Sequence, residues 1–175
     1  MSPLVLPAGA LRSLRAAVLD APRGAERLRE AGSLAGLALH DDFAARVRER
    51  TGGEPEAMPL AEYIAALAEH FARGGWGTVT IDARRDADVL RLSSDDWVEG
   101  EPGADAESPA CHFSTGLLAG FFGRAAGSPL AVAEVACRSA GAHGSAAELH
   151  TARSRGDARA PARRASGTGS RSVPQ

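Results

Sequence analysis

The fold of this chain is decided by residues 108–145, which have the sequence SPACHFSTGLLAGFFGRAAGSPLAVAEVACRSAGAHGS. Ser108 is a helix-capping residue type, and Pro109 suits the first helical position. Gly127, followed by Ser-Pro, is a typical helix end. The first half of the stretch is therefore predicted to be one helix.

Two stripes run along this predicted helix. The apolar stripe recurs at helical spacing, and the second stripe is nearly bare because it consists of glycine. Glycine inside a helix costs roughly 0.5–1 kcal/mol relative to alanine, so the bare stripe indicates either dense helix packing or space for a ligand. The apolar residues are Phe113, Leu117, Leu118, Phe121 and Phe122, and the glycines are Gly116, Gly120 and Gly123.

The second half is predicted to be a strand from Leu130 to Arg138 that enters a hairpin through the turn at 141–144. Cys111, Glu134 and Cys137 are residue types that bind zinc. Glu134 and Cys137 are three positions apart and would face opposite sides of a flat strand, so a bulge or the strand end must intervene. The position of Cys111 near a helix N-terminus predicts that its thiolate is favoured.

These residues resemble the 4-vinyl-reductase domain family, a set of small-molecule-binding modules with the ligand-binding fold of nitric-oxide-signalling and Golgi-transport proteins. The family shows a Cys opening a glycine-rich helix, then Glu-x-x-Cys on a strand, then a third Cys at the head of a last strand. The resemblance implies that Cys111, Glu134 and Cys137 are zinc ligands, beside a hydrocarbon pocket, in a domain that forms homodimers. Phe113, Leu117, Phe121 and Phe122 are predicted to form the pocket wall, with a filled core as the alternative.

Ser145 stands where the resemblance places the third Cys. A serine hydroxyl binds zinc far more weakly than a thiolate, so we expect zinc to be substoichiometric or lost. His143 or His150 can serve as a replacement ligand, whereas His112 should point away from Cys111 around the helix.

Composition places the chain among ordinary globular proteins, with 175 residues, 44% hydrophobic residues and a net charge of −2. This length predicts one domain with its own core. Two cysteines without an even framework indicate a reducing compartment, which predicts a cytoplasmic location. The sequence has neither an export signal nor a membrane-spanning segment, and its balanced charge predicts no nucleic-acid partner.

The rest of the domain is predicted to be α+β, with N-terminal helices packed on a small antiparallel sheet. A β-hairpin should follow the helices. The acidic segment 95–107 is interpreted as a solvated loop, with the Trp97 side chain buried in the core. The predicted helices span residues 8–20, 25–39, 41–50 and 59–74, and the hairpin strands span 77–82 and 89–93.

The composition changes sharply after His143, where Arg, Ala, Ser, Gly and Pro dominate. We predict a domain over residues 1–150 and a disordered tail over 151–175. The six arginines in this segment are interpreted as solvated rather than as a nucleic-acid site. A frameshift near codon 144 would explain the change, and it predicts that the closing strand after Ser145 is lost or shortened.

Three functions remain open. The first is a non-catalytic module that binds or senses a small hydrocarbon or aromatic molecule and carries a degenerate zinc site. The second is an accessory protein of vinyl-group reduction in bacteriochlorophyll synthesis, which the resemblance implies, although no nucleotide-binding or nucleophile motif supports an enzyme. The third is a frameshifted, partly degenerate copy of such a domain.

Overall fold

The computed structural model describes residues 7–84 and 89–151. Within these ranges the chain forms an α+β fold, as predicted, in which four α-helices accompany a four-stranded antiparallel sheet. The helices are α1 (Ala8–Leu19), α2 (Gly24–Thr51), α3 (Leu60–Arg73) and α4 (His112–Ala126). The strands are β1 (Thr80–Arg84), β2 (Val89–Ser94), β3 (Leu130–Ala136) and β4 (Ser145–Thr151), in the order β1-β2-β4-β3.

The second helix is longer than predicted. Residues 25–39 and 41–50 belong to the continuous helix α2, whereas the sequence indicated a break with a cap at Asp41 or Asp42. Both aspartates are exposed on the helix surface, where Asp42 pairs with Arg46 and Asp41 pairs with Arg124. The Asp42–Arg46 pair has the i, i+4 spacing that supports a continuous helix.

Helix α4 packs against α2 through glycine. A Cβ added at Gly116 or Gly120 would come within 3 Å of the backbone of Arg29 or Ser33, respectively. Gly32 and Gly36 of α2 approach the α4 backbone in the same way. The dense helix packing predicted for the glycine stripe is therefore confirmed at Gly116 and Gly120, where the two helix backbones approach each other closely.

The core lies between this helix pair, α3 and the inner face of the sheet. Its centre is aromatic: the Phe43 and Phe121 rings lie 5.8 Å apart, and the Phe71 and Phe121 rings lie 5.4 Å apart. Trp97 is 6% exposed and belongs to the same core, as predicted. In the described part of the chain, no helix is long and apolar enough to cross a membrane.

Strand β4 corrects the prediction for the end of the chain. The closing strand is neither lost nor shortened, because Ser145–Thr151 pairs with β2 on one side and β3 on the other. Ala147 and Leu149 face the core while Glu148 and His150 face outward, so the alternation continues after Ser145. The predicted disordered tail after residue 151 lies outside the described residues.

Candidate metal centre and cavity

Cys111, Glu134 and Cys137 come together where α4 begins and β3 ends. One ligand atom from each lies within 4.8 Å of the others, and the two sulfur atoms are 3.7 Å apart. Both thiols are buried and free. The structure therefore brings together all three residues that the sequence predicted as metal ligands, and the group can hold a metal ion.

A bulge makes this arrangement possible. The pairing of β3 with β4 shifts register between Glu134 and Ala136, so Cys137, just beyond the strand, reaches the same side as Glu134. This irregularity confirms the prediction that a flat strand could not present both ligands. Cys111 is the N-cap of α4 rather than part of its first turn, because the helix begins at His112 and not at Pro109.

Glu134 connects the helix to the strand. Its Oε2 accepts a hydrogen bond of 2.9 Å from the backbone N–H of Cys111, whereas its buried Oε1 has no hydrogen-bond partner among the described residues. An orphaned buried carboxylate oxygen is costly unless a cation or a donor faces it. The donor set of two sulfurs and one carboxylate oxygen therefore fits a zinc-like ion.

The Cys111 thiol does not behave as its helix position predicted. Burial, then the nearby Glu134 carboxylate, raises the pKa of this thiol well above its ordinary value. Desolvation and like charge therefore exceed the helix-dipole effect when no cation is present. A bound divalent ion would supply the missing positive charge and favour the thiolate.

The histidines lie away from this group. His112 contacts Arg29, with its Nδ1 3.1 Å from the guanidinium, and it is not part of the ligand group. His143 is exposed, and His150 faces Glu148. Over residues 7–84 and 89–151, the ligand group at Cys111 includes none of them.

A cavity lies beside the three potential ligands, between α4 and the sheet. Its recess is narrow, with a free volume of about 30 Å³. Cys111, Glu134 and Ser145 contribute to its wall. The remaining wall is mostly apolar and includes Val79, Leu92, Trp97, Leu118 and Ala147.

The four residues predicted to form the pocket wall lie elsewhere. Leu117, Phe121 and Phe122 are buried in the packed core, and Phe113 stacks on Trp76 at a centroid distance of 6.0 Å. The cavity wall of this recess contains none of them. Their contact with a ligand stays a prediction. The sequence signal for the wall of this recess was the inward face of the predicted hairpin and Leu118.

A buried polar network, missed by the sequence interpretation, supports the cavity. Trp97 Nε1 donates to Ser114 Oγ at 2.7 Å, and this hydroxyl donates to Glu99 Oε2 at 2.5 Å. Glu99 also accepts the backbone N–H groups of Phe113 and Ser114 and lies 3.3 Å from Arg15 Nε. Burial raises the pKa of Glu99, while its hydrogen bonds with Ser114 oppose that shift.

Glu99 corrects the prediction that segment 95–107 is wholly solvated, because it is 4% exposed. Its carboxylate satisfies backbone donors at the start of α4, where Cys111 makes no side-chain cap. The available sequence signal was an acidic residue upstream of a predicted helix N-terminus.

Comparison with known proteins agrees with this geometry. The family model of the vinyl-4-reductase domain matches residues 99–144, which confirms the predicted resemblance to the 4-vinyl-reductase domain family over that segment. Comparison with curated proteins finds no match.

Solved structures share the fold. The phenol-responsive sensory domain of the transcription activator PoxR, solved with phenol, superimposes with a TM-score of 0.64 at 17% identity, covering 86% of this chain and 77% of that one. A vinyl-4-reductase family protein from Methanocaldococcus jannaschii gives a TM-score of 0.52 at 21% identity, covering 86% and 83%. A trafficking protein particle complex subunit 3 from Naegleria fowleri, covalently bound to palmitic acid, gives 0.52 at 14% identity, covering 82% and 90%.

Proposed function

We propose that this vinyl-4-reductase-like domain binds a small apolar or aromatic molecule in the cavity between α4 and the sheet, without transforming it. A zinc ion held by Cys111, Glu134 and Cys137 would lie beside the bound molecule. The observation that carries the proposal is the cavity itself, which has a largely apolar wall and three potential metal ligands at its edge.

The apolar wall favours a hydrocarbon or aromatic ring. Trp97 and Leu118 are buried side chains with 6% and 4% exposure, and both line the recess. Ligand sites are typically concave and apolar with a few placed polar groups. Hydroxyl side chains, including that of Ser93, also line the recess. The fold shared with a domain solved with phenol supports the same class of ligand.

The sulfur geometry supports zinc. Two Zn–S bonds of about 2.3 Å at a tetrahedral angle place the sulfurs about 3.8 Å apart, and the observed separation is 3.7 Å. When bound, zinc would tie the start of α4 to the end of β3. Its role would be structural support for the cavity wall, with the protein side chains setting the shape and polarity of the site.

The homodimer and the cytoplasmic location belong to the same proposal. The family resemblance supports the dimer, and the two free thiols support a reducing compartment. Sedimentation equilibrium of the purified full chain tests the dimer directly.

A thermal-shift screen tests ligand binding. Phenol, toluene and naphthalene should raise the Tm of the wild-type protein, because binding to the native state alone adds about 2.7 kcal/mol at a ligand concentration 100 times Kd. Ala147→Leu fills the cavity from β4 and should abolish the shift. Ala133→Leu makes the same change at an exposed position of β3 and should preserve it.

The proposal fails if none of the compounds shifts the wild-type Tm, or if Ala147→Leu responds as strongly as Ala133→Leu. Zinc is tested separately by metal analysis of the purified protein. Cys137→Ala should lower the zinc content below that of the wild type, whereas equal content would place the metal elsewhere.

A further inference from the structure

We infer that the metal site keeps one coordination position open toward the cavity, and that the bound small molecule fills it with a donor atom. This inference rests on the proposed function and adds the chemical class of the ligand. That class is a small apolar ring carrying one neutral donor, such as an aromatic nitrogen or a hydroxyl group.

The protein supplies three donors rather than four. Cys111, Glu134 and Cys137 form the group, and the described ranges add no fourth His, Cys, Asp or Glu to it. Structural zinc sites are closed by four protein ligands, whereas sites with three protein ligands leave the fourth position to an exogenous molecule. The donor count therefore predicts an open position.

The cavity adjoins two of the three potential ligands. Cys111 and Glu134 line the recess, together with Ser145 at the head of β4. Ser145 Oγ accepts the backbone N–H of Arg138 at 3.4 Å, so this hydroxyl is already engaged with the residue that follows Cys137. A hydroxyl is also a weak zinc ligand compared with a thiolate. Ser145 therefore leaves the cavity side of the site without a strong protein donor.

Charge selects a neutral donor. Two thiolates and the Glu134 carboxylate together carry three negative charges, which already exceed the two positive charges of zinc. An anionic fourth ligand would add like charge in a poorly solvated site, so a neutral nitrogen or hydroxyl is favoured.

Pyridine and benzene form a matched pair of probes, because they have nearly the same size and shape and only pyridine has a donor atom. The full chain is loaded with Co²⁺ under anaerobic, reducing conditions, and the visible ligand-field bands are recorded during titration. Pyridine should shift the bands of the wild-type protein, and benzene should leave them unchanged.

Two substitutions at Ser145 complete the test. Ser145→Cys supplies a third thiolate and should abolish the response to pyridine. Ser145→Ala removes the hydroxyl without supplying a ligand and should retain the response, which controls for the loss of the contact with Arg138. In each protein, thiolate-to-cobalt charge-transfer absorption reports that the metal is bound at the cysteines.

The inference would be overturned if the wild-type protein shows charge-transfer absorption but its ligand-field bands do not change at saturating pyridine. That result would leave the proposed metal site intact. A response to pyridine that persists in Ser145→Cys would also overturn it. Absence of charge-transfer absorption in the wild type would refute the metal site together with the open position. The thermal-shift result for apolar ligands would still stand by itself.

Discussion

Gly120→Ala tests the packing of α4 on α2. A Cβ at this position would lie 2.9 Å from the carbonyl carbon of Ser33, and even closer to the carbonyl oxygen. The obstacle is backbone, so it cannot move aside as the end of a flexible side chain would. Either the two helices separate at the crossing, or α4 shifts along its axis.

The expected loss of stability follows from two opposing effects. Overpacking a close contact costs about 1–3 kcal/mol, while replacing a helical glycine with alanine recovers about 0.5–1 kcal/mol. The overpacking cost should lie in the upper half of its range because the obstacle is backbone, so Gly120→Ala should lower the free energy of unfolding by about 1–2 kcal/mol. With a urea m-value of about 2 kcal/mol/M, the midpoint should fall by about 0.5–1 M.

Gly123→Ala is the matched control on the same helix. Its Cβ would meet nothing closer than the Ser128 carbonyl oxygen at 3.4 Å, which is ordinary van der Waals contact. Only the helix propensity changes, so this variant should be as stable as the wild type or more stable by up to about 1 kcal/mol. Urea denaturation followed by circular dichroism measures both variants. The packing argument is wrong if Gly120→Ala matches the wild type, or if Gly123→Ala loses as much stability as Gly120→Ala.

Two further predictions concern buried polar groups. His70 is 4% exposed, and its pKa is lowered first by burial and then by the Arg46 charge. The unfolded chain therefore takes up a proton at this histidine before the folded protein does. The histidine's contribution to stability should be fully present above about pH 6.5 and should be lost as the pH falls below that value. The Tm of His70→Phe should depend less on pH between 7.5 and 5.5 than that of the wild type, and equal slopes would contradict the assignment. Glu99→Ala should destabilise the domain by about 3 kcal/mol or more, because it leaves Arg15 and the backbone donors of α4 uncompensated. Glu101→Ala is the control, because Glu101 is half-exposed and lies 3.8 Å from Arg12. This substitution should change the free energy of unfolding by less than about 1 kcal/mol. Similar losses of stability in the two variants would refute the role of Glu99.

The parts of the fold that sequence could predict are governed by local rules. Gly127 ends α4 in the left-handed conformation that glycine tolerates, and the spacing of Glu134 and Cys137 required the bulge that is present. The glycine stripe predicted a close backbone contact, and Gly116 and Gly120 make it. Gly123 belongs to the same glycine stripe but does not contact the α2 backbone. The spacing of glycines along α4 does not specify where the axes of α2 and α4 diverge.

The features that the sequence could not predict depend on contacts between segments that are distant along the chain. Glu99 and Asp96 belong to one acidic loop, but only Glu99 is buried, since the start of α4 provides its donors. Charge composition cannot distinguish these two carboxylates. The cavity is also non-local, because its wall combines the β1–β2 region, α4 and β4. The predicted loss or shortening of the strand after Ser145 was wrong, because Ala147 and Leu149 continue the apolar alternation despite the change in composition.

The glycine crossing has a mechanical consequence for ligand entry. On one side α4 is fixed against α2 at backbone distance, and on the opposite side it forms a wall of the cavity. Helix α4 therefore cannot shift toward α2 to make room for an incoming molecule. An aromatic ring larger than the free space must gain room by displacing β2, β4 or the loop that carries Trp97. Ligand binding would then be transmitted as a movement of the sheet relative to a stationary helix pair, and any partner that reads this signal should contact the sheet side of the domain.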